Sequence, residues 1–133
     1  MTHGYLVFRV GREWYGLPVE AVVEVLHLVA LNEVPGTDIL GVMTLRGQAI
    51  KVFDLRQRFG ISNPKFELDT PIMVINTPRG DIGFVVDGVD DVIQVAEDNI
   101  SPYQDGFIES AVRVNGRMFF VVEPGRVVEK PVA

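Results

Sequence analysis

GVMTLRGQAIKVFDLRQRFG, residues 41–60, carries a turn, a strand and a helix start in close succession. At Leu45-Arg46-Gly47 a strand end runs into a tight turn, because glycine takes the positive φ that such a turn needs. From Gln48 to Phe53 the pattern alternates, with Ile50 and Val52 on one face and Gln48 and Lys51 largely on the other, so a half-buried strand is expected. Phe53 is expected to pack rather than to lie exposed. Asp54 suits a helix N-cap, its carboxylate accepting from free backbone N–H groups. Leu55 and Phe59 follow at i and i+4, and Gly60 stops the turn. None of these residues is a nucleophile, a base or a metal ligand. An arginine beside a glycine turn, backed by a strand and a short helix, is the chemistry of a recognition surface.

Outward from this stretch the chain reads as β. Tyr5 to Val10 and Trp14 to Val19 form strands around a Gly11-Arg12 turn, and Val22 to Leu26 is a third strand with one acid, Glu24, in its middle. Asn32 to Asp38 is a loop marked by Pro35-Gly36, and 61–71 is a polar connector between two halves. Strands resume at Ile72 to Ile75, Ile82 to Val86 and Val92 to Val95. Asp98 to Gly106 is expected to be loop, and Asn115-Gly116 between apolar runs is a strong hairpin signal. The tail after Pro124 is expected to form no helix.

The spacing contains a repeat. With Gly16 placed on Gly83, an offset of 67 residues, Tyr5 to Leu26 matches a second copy without a gap. Arg12 meets Arg79 in the turn, Glu20 meets Asp87, and Glu24 meets Asp91. With Gly47 on Gly116, an offset of 69, Ile50, Val52 and Asp54 meet Phe119, Val121 and Glu123. Two similar β units of about five short strands are implied, packed side by side as small barrels. Neither alone buries enough surface, so their interface should be core. Arg46 corresponds to Asn115, so only the first copy is expected to join its acid, Glu24, to an arginine.

Composition narrows the function. At 133 residues the chain is one compact unit or two very small ones, and 47% hydrophobic residues suffice for a core. A net charge of −6 argues against a phosphate-binding face, so nucleic acid is not an expected partner. There is no cysteine, hence no disulfide and no thiolate chemistry. No apolar run is long enough to span a bilayer, and Met1 to Tyr5 lacks the basic start of a secretory leader, so a cytoplasmic protein is expected. His3 and His27 read as surface histidines. Asp87, Asp90 and Asp91 lack the spacing of a calcium loop and read as solvated edge or turn residues. Paired catalytic carboxylates would need Gly-flanked turns in both halves, which Glu20-Ala21-Val22 does not supply. No enzyme, cofactor or metal is expected.

Leu45-Arg46-Gly47, Ile50, Val52-Phe53-Asp54-Leu55-Arg56 and Arg58-Phe59-Gly60 together resemble the CheW-like domain family, with its Leu-Arg-Gly turn and Asp-Leu-Arg ending. Tyr15-Gly16-Leu17-Pro18-Val19, Val22-Val23-Glu24-Val25, Ile82 to Val89, Asp91-Val92 and Ile100-Ser101-Pro102 extend the resemblance over nearly the whole chain. It implies one CheW-like domain over 1–133: a mostly β fold of two SH3-like five-stranded β-barrels sharing a core, with a few short helical turns. The sub-barrels would cover about 12–70 and 71–126, with terminal strands crossing between them. It further implies a non-catalytic adaptor of chemosensory arrays, monomeric when free. That adaptor couples the cytoplasmic tip of methyl-accepting chemoreceptors to the regulatory domain of the histidine kinase CheA. On this resemblance the receptor-side residues are Val22, Glu24, Leu45, Arg46 and Gly47, and Gly41 and Val92 are coupling or kinase-side positions. Thr44 stands where the family usually has asparagine and Lys51 where proline is common. A non-flagellar pathway, or an inert ligand-binding barrel, is the alternative. An adaptor should leave a patch around Val22 and Arg46 uncovered.

Overall fold

The computed structural model describes residues 1–27, 30–35, 39–61 and 66–128. Part of the Pro35-Gly36 loop, part of the 61–71 connector and the end of the C-terminal tail lie outside the described residues. None of the described helices is long and apolar enough to cross a membrane.

The first half supplies β1 (Thr2–Val10), β2 (Glu13–Pro18), β3 (Val22–His27), β4 (Gly41–Leu45), β5 (Gln48–Asp54) and the one-turn helix α1 (Leu55–Arg58). The second half supplies β6 (Pro71–Thr77), β7 (Gly80–Val85), β8 (Gly88–Ala96), β9 (Ile100–Asp105), β10 (Ile108–Val114), β11 (Arg117–Val122) and α2 (Pro124–Val128). They form two sheets. Sheet I has six strands in the order β8-β1-β2-β11-β10-β9, and sheet II has five in the order β3-β6-β7-β5-β4.

These orders are one pattern used twice, with an exchange. Sheet I takes the first hairpin of the first copy and the later strands of the second; sheet II takes the reverse. β11 runs parallel to β2 with Val121 opposite Gly16, and β5 runs parallel to β7 with Val52 opposite Gly83. Those two pairs are equivalent under both offsets, so the repeat is structural. The sheets therefore do not divide at residues 70 and 71. β6 and β7 follow that point yet hydrogen-bond to β3 and β5, which precede it.

Alternation along the strands builds three apolar layers. Tyr5 and Val7 of β1 point into the curl of sheet I with Val95, Val112, Phe119 and Val121. Leu6, Phe8 and Val10 point the other way, into a core shared with Met73, Ile75, Phe53 and Phe84. Ile72 and Val74 of β6 fill the curl of sheet II with Met43, Ile50 and Val52. β1 and β6 are thus apolar on both faces, and Phe53 lies in the shared core as expected. Each sheet curls round its own core but is open at the hydrogen-bond level: β3 and β4, like β8 and β9, are edges.

Three expectations fail locally. Ile100–Asp105 is a strand, paired with β10 although nearly all its residues are exposed. An edge strand wet on both faces carries no alternation for a sequence reading to find. The segment after Glu123 is a helix: Pro124 sits at its first position, the Glu123 carboxylate accepts from the Arg126 N–H at 2.8 Å, and Val127 plugs the shared core. His3, expected at the surface, lies within β1 opposite Val95 and is half-buried.

Candidate functional site

Sheet II brings its two edges toward each other. β3 is one edge and β4 the other, and Leu26 of β3 and Leu45 of β4 both pack on the apolar core inside the curl. Above them the Arg46 guanidinium donates to the Glu24 carboxylate as an ion pair across the open seam. The arginine side chain keeps 69% of its surface exposed and the glutamate 26%, so the seam is closed by charge yet open to solvent. The hydrogen bond to Glu24, and then its charge, raise the Arg46 pKa further above its already high ordinary value, with slight burial opposing.

The turn that presents Arg46 is strained. Arg46 and Gly47 have φ of +50° and +79°, the two-residue type I′ geometry that twists correctly between paired strands. The equivalent turn in the other half, Asn115-Gly116, has φ of +51° and +75°. Asparagine tolerates that region; an arginine pays a local steric penalty there, and such outliers gather at functional sites.

Around this pair the expected residues are placed unequally. Glu24, Leu45, Arg46 and Gly47 come together at the seam. Val22 does not join them: a bulge in the pairing with β6 separates it from Glu24, so Val22 sits opposite Ile75 and is half-buried against the shared core, whereas Glu24 sits opposite Val74 of the curl. The exposed valines of β3 are Val23 and Val25, at 46% and 38%. Gly41 is buried, where a Cβ would stand 3.0 Å from the Asn32 carbonyl oxygen, so the 31–32 segment can pair with β4 only against a glycine. Val92 is exposed on β8, which belongs to the other sheet.

Residues 4–132 match the model of the CheW-like domain. The chain belongs to the CheW-like domain family. It is 32% identical over 100 residues to the chemotaxis protein CheW of Klebsiella aerogenes, a match covering 74% of this chain and 60% of that protein. It is 30% identical over 136 residues to chemotaxis protein CheW of Bacillus subtilis, covering 94% and 86% respectively. The crystal structure of the scaffolding protein TtCheW from Thermoanaerobacter tengcongensis superposes with a TM-score of 0.86 at 31% identity, over 92% of this chain and 89% of that one.

In this CheW-like chain the Asp-Leu-Arg ending does work that its sequence does not announce. Asp54 caps α1, accepting from the Arg56 N–H at 3.0 Å. It also takes a two-pronged bond from the buried Arg56 guanidinium, at 2.9 and 3.1 Å. Arg56 Nη1 reaches Asp87 Oδ1 at 3.4 Å, Asp87 Oδ2 accepts from the Gly11 N–H at 2.7 Å, and Phe66 lies 4.7 Å from the guanidinium. Burial on its own would lower the Arg56 pKa, but Asp54 and then Asp87 more than offset it and the net shift is upward. Asp87 is therefore no solvated edge acid. An arginine two residues after an N-cap aspartate was the available signal.

The second half also has an acid–arginine pair, contrary to expectation. Arg117 Nη2 lies 3.4 Å from Asp90 Oδ2, with its guanidinium over the Trp14 ring at 5.3 Å. Both partners sit one or two positions from those the repeat aligns with Arg46 and Glu24, which is why the alignment concealed it.

Proposed function

We propose that this chain is a non-catalytic adaptor of chemosensory arrays, working at their cytoplasmic side and joining a receptor's helical tip to a CheA-type histidine kinase. The observation that carries this reading is the solvent-open Arg46–Glu24 pair on the seam of sheet II, held on a backbone turn that disfavours arginine. The names of the relatives, chemotaxis proteins and a scaffolding protein, support it. Arg46 with Glu24 gives the docking surface a charged centre, with the half-buried Leu45 beside it, and the exposed Val23 and Val25 add apolar surface on the other face of the same edge strand. A guanidinium so placed can bond an acceptor on a partner helix while its aliphatic stem packs. Gly41, being buried, acts on coupling through the 31–32 packing, whereas Val92 offers a contact from the opposite sheet.

The test is Arg46→Glu. That variant should keep the wild-type circular dichroism spectrum and melting curve but fail to co-sediment with membranes bearing receptor and kinase. Normal sedimentation together with normal kinase activation by the variant would show that the docking surface lies elsewhere.

A further inference from the structure

The chain passes between the two sheets twice within its repeat, and the two passages are built differently. The first runs from Pro18 to Val22 through Val19–Ala21, and the second from Val85 to Gly88 through Val86 and Asp87. They are equivalent under the offset of 67: Val19 matches Val86 and Glu20 matches Asp87. At the second passage Val86 is fully buried in the shared core, whereas the first passage buries none of its residues.

The acid is present at both, but its partners are present at one. Asp87 bonds Gly11 N–H, in the hairpin turn of sheet I, and Arg56, in the helix that follows β5 of sheet II. At the other passage Gly11 is matched by Pro78, which has no N–H to give, and Arg56 by Gly125, which has no side chain. Glu20 is exposed there and makes no hydrogen bond or ion pair among the described residues. One carboxylate thus pins both sheets at a single crossing, and its counterpart pins nothing.

We infer that Asp87 is a pivot: the two sheets are fixed to one another at the Val86–Asp87 crossing and turn about it, with the larger excursion at Val19–Ala21. The seam acid, Glu24, lies three residues after that freer passage on β3, so a partner bound there is sensitive to the angle between the sheets. Asp87 is in this sense a positioning residue for coupling, and that last role rests on the proposed adaptor function, whereas the pivot itself does not.

The absence of cysteine makes the inference testable by paired spin labels in the whole chain. Arg12→Cys with Gln57→Cys spans the pinned side, and the equivalent Arg79→Cys with Arg126→Cys spans the other. The first distance distribution should be narrow and the second broad. Adding Asp87→Asn, which keeps an acceptor for Gly11 but drops the charge facing Arg56, should widen the first to match the second. Gly125→Arg, which supplies the missing guanidinium, should narrow the second. Equal widths in the parent chain, or widths indifferent to Asp87→Asn, would overturn the pivot. In a reconstituted array Asp87→Asn should sediment with receptors as the parent does yet activate the kinase less; full activation would remove the signalling role. Should the parent itself fail to sediment, the adaptor reading falls while the label distances still decide the pivot.

Discussion

Arg46 occupies a backbone position that suits asparagine, as Asn115 shows in the matching turn. Replacing it relieves local strain while removing the guanidinium, so stability and binding should move apart. Arg46→Asn is expected to melt at or above the parent temperature by calorimetry and to lose receptor-membrane binding. Arg56 is the opposite case, an arginine sealed in the fold and defined by its carboxylates. Asp54→Ala removes both its two-pronged partner and the cap of α1, and should cost about 3 kcal/mol in denaturant unfolding. Glu109 titrates against the fold. Burial, with Glu123 adding repulsion and Arg126 opposing, raises its pKa above the ordinary value of 4.5. A raised acid favours the protonated form in the fold, so its stabilising effect is present below the unfolded-state value and is lost as pH rises through the folded one. Glu109→Gln should therefore increase the urea midpoint at pH 7 and leave it nearly unchanged at pH 4.

Hairpins and parallel contacts divide by how local their determinants are. The turns at 46–47 and 115–116 and the cap at Asp54 were legible because a glycine or a short polar side chain fixes a few dihedral angles whatever surrounds it. β9 and α2 were not, since one is an exposed edge strand held mainly by its backbone pairing with β10 and the other is held by the burial of Val127. Gly16 and Gly83 lie between these cases: both showed in the repeat, but the reason for them is the strand laid alongside. A Cβ on Gly16 would stand 2.6 Å from the Phe119 ring, while one on Gly83 would meet Val52 and Ile72 at 3.2 Å. Gly16→Ala should destabilise by about 1–3 kcal/mol, and Gly83→Ala by less, as compared by chemical denaturation of the two variants.

Across the whole molecule, the exchange of hairpins means that each sheet is completed by the other half of the chain. Neither sheet can form while the other half is unfolded, so the two should melt as one unit. Trp14 fluorescence, which reports on sheet I, and far-ultraviolet circular dichroism, which reports on both, should give coincident transitions; separated midpoints would contradict that dependence. The amino-acid order alone was enough to show a duplicated β protein, its two glycine-bearing hairpin turns and its family resemblance, and to single out Glu24 and Arg46 as candidates for a pair. These rest on period-2 alternation and on turn chemistry, which act over a few residues. Which hairpin completes which sheet, that Val22 turns inward while Val23 and Val25 face solvent, and that Asp87 joins Arg56 to Gly11 were decided only in three dimensions. Each of those depends on contacts between residues far apart in the chain, whose partners are chosen by shape and burial rather than by spacing.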